Sequence, residues 1–371
     1  MVFELISKSL DIVDNIKEEA YKSFELVKVS KYFNHLSEKD KAFELFSKAL
    51  MMVGSVKSNQ HKFIALSNIA ENVTKLGDNA MAFKLLSEII MIIGEIKGSS
   101  YKFRALSQIA VLYEILGDRD KAFELLAITI KGVKHIKNNE DRIEFLSSLA
   151  GKYSKLNNTD MTKELLSKAY KIASDLQGDK VKSRTISNIA MHYAMINNND
   201  TAFELFTQAL EIFENIKDNQ VQSLHLLINI SDDIKEFADK ERGFILLSNI
   251  LEKADKIKIE SIDLDWYIKV AVFRNIVEQS TSLGNNDKAF EILSQVLEMG
   301  RKDKDTSFRY SLIDVIAEQS TKLNSAENIF ELLTTALEIA GTIQHRSERS
   351  IAINTILKSM SHCNSFEKEL V

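Results

Sequence analysis

Seven histidines, one cysteine and 53 acidic residues are the groups of this 371-residue chain that could hold a metal or run acid–base and nucleophilic chemistry. The histidines stand at positions 35, 61, 135, 192, 225, 345 and 362, and none has a second His or Cys at ligand spacing apart from the neighbouring His362 and Cys363. Side chains adjacent in sequence leave a helix in different directions and cannot both face one metal, so this pair reads as ordinary surface residues rather than a zinc or thiol site. HExxH, GxGxxG, P-loop and GxSxG patterns are all missing, and no carboxylate pair stands apart from what salt-bridged helix surfaces contain. The expectation is a protein with no catalytic residues, no cofactor and no metal. What remains is binding chemistry, carried by arginines, methionines and small residues spaced along helices.

The composition narrows the partners. A net charge of −5 lacks the clustered Lys and Arg that hold phosphate backbones, so no nucleic acid is expected. The opening residues mix acids with apolar side chains instead of forming a basic start, an apolar core and a cleavage site. With no apolar run near the ~18 residues of a spanning helix, no membrane association is expected and the cytoplasm is the default location. A lone Cys363 offers no internal disulfide. Proline is absent and Gly numbers only 12, which favours continuous helix.

The elements that position these residues recur. A segment reading roughly Ala-Phe-Glu-Leu-Leu returns with its second residue at Phe3, Phe43, Phe83, Phe123, Lys163, Phe203, Phe244, Phe290 and Phe330, in five steps of 40 residues, then 41, 46 and 40. Each period contains two amphipathic helices. One opens on this segment, as in residues 121–137, where Ala122, Leu125, Leu126, Thr129 and Ile130 form an apolar stripe. The other, as in residues 101–116, carries Leu106, Ile109, Ala110, Tyr113 and Leu116. Polar breaks at 58–60, 138–140 and 177–179 separate successive hairpins, and tighter breaks at Gly77, Gly117, Asn157, Asn197 and Gly284, with Ser37-Glu38 in the same role, sit inside them. The unit is a helical hairpin of 40 residues. Lysines in stretches such as KGVKHIK and KADKIK fall at helix ends, where cations complement the dipole.

On these residues the chain resembles the tetratricopeptide repeat (TPR). Residues 105–130 follow that family's pattern without a gap, with its large, small and aromatic positions on Leu106, Ala110 and Tyr113, its turn on Leu116, Gly117 and Asp118, and its second-helix alanine on Ala122. The small position returns as Ala70, Ala150, Ala190 and Ala317, and the second-helix alanine as Ala42, Ala82, Ala202 and Ala289. The resemblance implies an all-α, right-handed superhelical solenoid of antiparallel helix-turn-helix repeats. It covers residues 1–371 as one TPR-like solenoid of about eight repeats, with half-unit helices at both ends acting as caps. The family period is about 34 residues and commonly closes on proline. Here it is 40, there is no proline, and Ser280 and Ser320 take the aromatic position in the late repeats.

The resemblance also implies a binding face, because the first helix of each TPR hairpin lines a concave groove. Mapped to this sequence, the early groove carries Lys31, Asn34, His35, Glu71, Thr74 and Lys75, and the late groove carries Asp232, Lys235, Glu236, Arg274, Glu278, Asp314 and Glu318. The centre carries Arg104, Ser107, Val111, Ile115, Ser147, Gly151, Ser154, Arg184, Ser187, Met191 and Met195, small and apolar apart from two arginines. That centre is the expected site for a protein or peptide partner, with Arg104 and Arg184 for its carboxylates or carbonyls. The competing interpretation is that Val111, Ile115 and Met195 pack against the next repeat. Six extra residues around positions 260–267 bring the only tryptophan, Trp266, which reads as a filler of the longer loop or as an aromatic anchor for a ligand. The expected function is a binding scaffold or adaptor. The alternatives are a regulatory receptor responding to a peptide or small molecule, an RNA-binding helical repeat, an enzyme with its site in the groove, and self-association through the terminal helices.

Overall fold

A computed structural model describes residues 2–96, 99–216, 220–257, 265–303 and 305–369, and the chain divides into two compact units, Met1–Ala169 and Tyr170–Val371. The first contains α1 (Val2–Asp14), α2 (Glu19–His35), α3 (Lys39–Ser55), α4 (Asn59–Val73), α5 (Asn79–Gly94), α6 (Ser99–Ile115), α7 (Arg119–Gly132), α8 (Asn139–Lys155) and most of α9 (Thr159–Ser174). The second contains α10 (Asp179–Met195), α11 (Asn199–Phe213), α12 (Gln220–Ile234), α13 (Lys240–Lys256), α14 (Asp265–Leu283), α15 (Asn286–Lys302), α16 (Thr306–Ser320), α17 (Ala326–Gly341) and α18 (Arg346–Glu369). There is no strand among the described residues. The fold is all-α, a tandem array of helical hairpins, and the 40-residue register passes through the division on Phe123, Lys163 and Phe203.

The hairpin of α6 and α7 shows how the sequence builds one repeat. On α6, Leu106, Ile109, Ala110 and Tyr113 are buried, and on α7 so are Ala122, Leu125, Leu126 and Thr129. Leu116 and Ile130, expected on the same stripes, are only half-buried. Ala110 and Ala122 leave no accessible surface, as close approach of two backbones requires. Gly117 has φ of 92°, a left-handed conformation that costs a side chain little only when it is glycine, and the Asp118 N–H donates to Tyr113 O at 2.9 Å to close α6 in a Schellman turn. The Asp118 carboxylate then accepts from the Lys121 N–H at 3.0 Å and starts α7. The same left-handed residue recurs at Ser37, Gly77, Asn157, Asn197 and Gly284, and the same N-cap at Asp78, Asn158, Asp239, Asn285 and Ser325. α7 gives way to a single turn of tighter helix at Val133–His135, and Gly132 just before it lies against the ring of Phe103, where a Cβ would come within 2.3 Å.

Within each unit the hairpins stack first helix on first helix, as in α2 on α4, α4 on α6, α12 on α14 and α14 on α16, and second helix on second helix, as in α3 on α5 and α13 on α15. The breaks between hairpins are closed by cations of a kind the sequence reading assigned to other positions. Near the start of several first helices a basic residue reaches back to a terminal carbonyl of the preceding second helix or of the residues just after it. Lys62 donates to Gly54 O at 3.0 Å, Lys102 to Gly94 O at 2.8 Å, Arg142 to Ile136 O at 2.6 Å, Lys182 to Ser174 O at 2.6 Å and Lys269 to Asp255 O at 3.1 Å. The positions 62, 102, 142 and 182 repeat at 40 residues. These contacts satisfy carbonyls left open at a helix end and place positive charge on the negative pole of the dipole.

The extra residues before α14 fall at 258–264, outside the described residues, and so does the side chain of Trp266; α14 itself runs 19 residues. The side chains of His362 and Cys363 also lie outside the described residues.

Candidate binding faces of the first helices

In the first unit, α6 presents Arg104, Val111 and Ile115. Ile115 is 66% exposed, Val111 is half-buried, and Arg104 donates from Nη1 to Glu144 Oε1 on α8 at 2.9 Å. On α8, Gly151 and Ser154 are half-buried. Ser107 and Ser147, expected in the groove, are buried instead. Each lies three residues before the small position, within about 60° of it around the helix, which brings it under the neighbouring first helix rather than onto an open face. The Ser107 hydroxyl is satisfied by Arg104 O at 2.8 Å.

The second unit repeats this outcome. On α10, Arg184 is exposed, Met191 half-buried and Met195 45% exposed, whereas Ser187 is fully buried and donates to Asp233 Oδ2 on α12 at 2.7 Å. The serine column is therefore a packing seam between first helices, and the groove assignment of Ser107, Ser147 and Ser187 is corrected. Burial pushes the Asp233 carboxyl up to about 6, with the neighbouring Asp232 adding to it and the Ser187 hydrogen bond opposing it.

A cleft lies along the first helices of each unit. That of the first unit encloses about 200 Å³ between α4 and α6, walled by Leu66, Ala70, Ala105, Ile109, Val111 and Leu112, with Ile93 of α5 also lining it. Its polar groups are Ser67, which donates to Gln108 Oε1 at 2.6 Å, Glu71 on α4, and Lys152 and Lys155 from α8. Lys152 donates to Ser148 Oγ at 3.1 Å. Burial, then the like charges of Lys155 and Arg104, bring its amine down to about 8. The cleft of the second unit, about 440 Å³ along α12, α14 and α16, is lined by Tyr267, Arg274, Asn275, Glu278, Tyr310 and Asp314 among others. There Arg274 reaches Glu318 at 3.3 Å and Asp314 at 3.8 Å, and Asn275 donates to Asp232 at 2.7 Å. Burial, then Asp314 and Glu348, hold the Tyr310 phenol above its usual range.

The chain is a tandem helical-repeat protein. No known family model matches it, and no curated protein matches it. Among solved structures it is similar to nearly identical TPR-like repeats from Podosopora anserina, at 17% identity over 55% of this chain and 100% of that one, with a TM-score of 0.37. It is also similar to BtubC from P. vanneervenii, at 16% identity over 66% and 94% of the two chains with a TM-score of 0.35. A third is Ton1535 from Thermococcus onnurineus NA1, at 16% identity over 95% and 98% with a TM-score of 0.33. These likenesses concern the stacking of helical hairpins.

Of the site residues read from the sequence, Arg104 and Val111 border or flank the first cleft, while Gly151 and Ser154 are on its α8 side in sequence but do not line it. Lys152, Gln108 and Leu66 were not singled out. Positions 72 and 112, two and one periods earlier, hold Asn72 and Leu112, which are 6% and 8% exposed, but Tyr32 in the same column is 62% exposed, so the column by itself does not mark Lys152. Among the described residues no group of three or more His, Cys, Asp or Glu converges for a metal, and no helix is long and apolar enough to cross a membrane.

Proposed function

We propose that the protein is a binding scaffold that holds a protein or peptide segment against its first helices, without a catalytic step. The observation that carries this reading is the first-unit cleft, whose walls are aliphatic and whose rim holds lysines, on a face where Val111 and Ile115 remain accessible. A small, preformed apolar recess with a few placed polar groups is the usual form of a recognition site. On α10, Arg184, Met191 and Met195 offer a second accessible patch of mixed character, suited to an adaptable peptide contact.

Selection from a random peptide library on the full chain tests this. Enriched peptides should bind the unaltered protein, lose binding to Arg104→Glu combined with Val111→Asp, or to Arg184→Glu combined with Met191→Asp, and tolerate Lys168→Glu on α9. Lys168 is exposed and paired to Glu164 at 2.5 Å, so it reports on general charge effects. No enrichment, or binding lost only with Lys168→Glu, would overturn the reading.

A further inference from the structure

The first-unit cleft carries more cation than its surroundings balance. Lys152 has a neutral acceptor, Ser148 Oγ, and makes no ion pair among the described residues. Arg104 is engaged by Glu144, and Glu71 lies on the opposite wall without reaching either lysine as an ion pair. An amine held in an apolar recess beside two other cations is unfavourable in the free protein, and a bound anion removes that cost.

The remaining polar group fixes what kind of anion fits. The Ser67 hydroxyl occupies Gln108 Oε1, which turns the amide so that its Nε2 hydrogens are the donating edge. An ammonium and an amide N–H suit two carboxylate oxygens, and an aliphatic wall beside them favours an acid that carries a carbon chain over a fully hydrated inorganic anion. Next to them Leu66, Ala70, Ala105 and Ile109 form an aliphatic wall.

We propose that the cleft between α4, α6 and α8 binds an aliphatic carboxylate, its oxygens on Lys152 and Gln108 and its carbon chain against Leu66, Ala70 and Ile109. This rests on the reading that the first-helix face is the binding face, and names the chemistry recognised there. The carboxylate can be a free aliphatic acid or a glutamate side chain flanked by leucines in a partner.

Calorimetric titration of the full chain separates the two sources. The probes are hexanoate, hexanol, the blocked peptide acetyl-Ala-Leu-Glu-Leu-Ala-amide and its glutamine counterpart. Hexanoate binding with hexanol silent assigns a free acid, and binding of the glutamate peptide over the glutamine one assigns a side chain; either supports the site. In both cases Lys152→Met should weaken binding at least about tenfold, Gln108→Leu by a smaller factor, and Lys155→Gln about twofold to fivefold. Binding at pH 8 should take up about half a proton per site, read from two buffers of different ionisation enthalpy, and Lys152→Met should abolish the uptake. The groups facing Lys152 within the unit are Lys155, Arg104 and Glu71. Equal binding of charged and uncharged probes, indifference to both Lys152→Met and Lys155→Gln, or no binding of either acid would overturn the proposal. Library peptides that bind regardless of Lys152 would sink this site and leave the scaffold reading intact. Hexanoate bound through Lys152 with no peptide selected would do the reverse.

Discussion

The first helices of the two units use one architecture for two electrostatic ends. Along α12, α14 and α16 of the second unit, Arg274 is shared between Asp314 and Glu318, and Asn275 takes up Asp232, so most charge there meets a partner. Along α4, α6 and α8 of the first unit, Lys152 and Lys155 adjoin an aliphatic recess and make no ion pair among the described residues. The packing beneath is the same, with Ala110 and Ala317 at equivalent positions and both fully buried. The difference therefore lies in the residues above the packing seam, which the repeat leaves free to vary. A face whose cation is already paired has little to offer an anion, whereas a face that carries unpaired cations into an apolar recess has a reason to bind one.

The largest expected effect tests whether the seam is shared. Ala110→Leu in the first unit and Ala317→Leu in the second should each destabilise their own unit by about 1–3 kcal/mol through overpacking, while Glu124→Leu on an exposed face should stay within about 0.5 kcal/mol. Hydrogen-exchange protection, measured helix by helix, reads the two units separately where a single melting curve would merge them. Loss of protection in one unit only, for both alanine changes, would break the comparison at its base.

The next effect distinguishes the units by pH. Lys152 releases its proton near 8 in the folded protein against 10.5 for an ordinary lysine, so between these values the unfolded chain binds more protons and the first unit gains stability as pH rises. Asp233 holds its proton up to about 6 against 3.8, so between these values the folded protein binds more protons and the second unit loses stability as pH rises from about 4 to 6. At pH 7 both penalties are present in full or nearly so. Lys152→Met should stabilise the first unit by about 1–2 kcal/mol at pH 7 and flatten its alkaline slope, and Asp233→Asn should do the same for the second unit and its acid slope. Ser187 can still donate to the asparagine oxygen, so the seam survives. Slopes that remain in the variants would assign the titrations to other groups.

How far the sequence carries the reading can be judged residue by residue. The hairpins were legible because their cause is local: Ala110, Tyr113, Gly117, Asp118 and Ala122 each have one role and recur at a fixed interval. Ser107 and Ser187 were misplaced because a helical wheel fixes the angle of a residue but not the distance of the neighbouring helix, and a residue about 60° from the seam is covered or open according to that distance. Lys152 drew no notice for the opposite reason. Lysines on helices are usually solvated, and that this one stands beside an aliphatic recess depends on how α8 packs on α6. The helix-end cations expected from the sequence were the lysines of KGVKHIK and KADKIK, whereas those at 62, 102, 142 and 182 act from the start of the next helix, a contact that needs the loop geometry.

The smallest expected effect concerns the ion pairs of the second unit. Arg274 is 39% exposed, with Asp314 and Glu318 at 41% and 56%, so water screens both contacts and ordering three long side chains offsets part of the attraction. Arg274→Ala should cost the second unit about 0.2–1 kcal/mol at low salt, and the cost should shrink as salt shortens the screening length toward a few ångström, about 3 Å at 1 M. The substitution also removes the cation paired with Asp314 and Glu318, which leaves that cleft more anionic where the first unit's is cationic. The hexanoate titration should then remain unchanged in Arg274→Ala, because the acid is held in the first unit. A cost near that of the buried alanine changes, insensitive to salt, would mean that Arg274 is a structural cation like the capping lysines, and the contrast between a face with its cation paired and one with its cations unpaired would no longer hold.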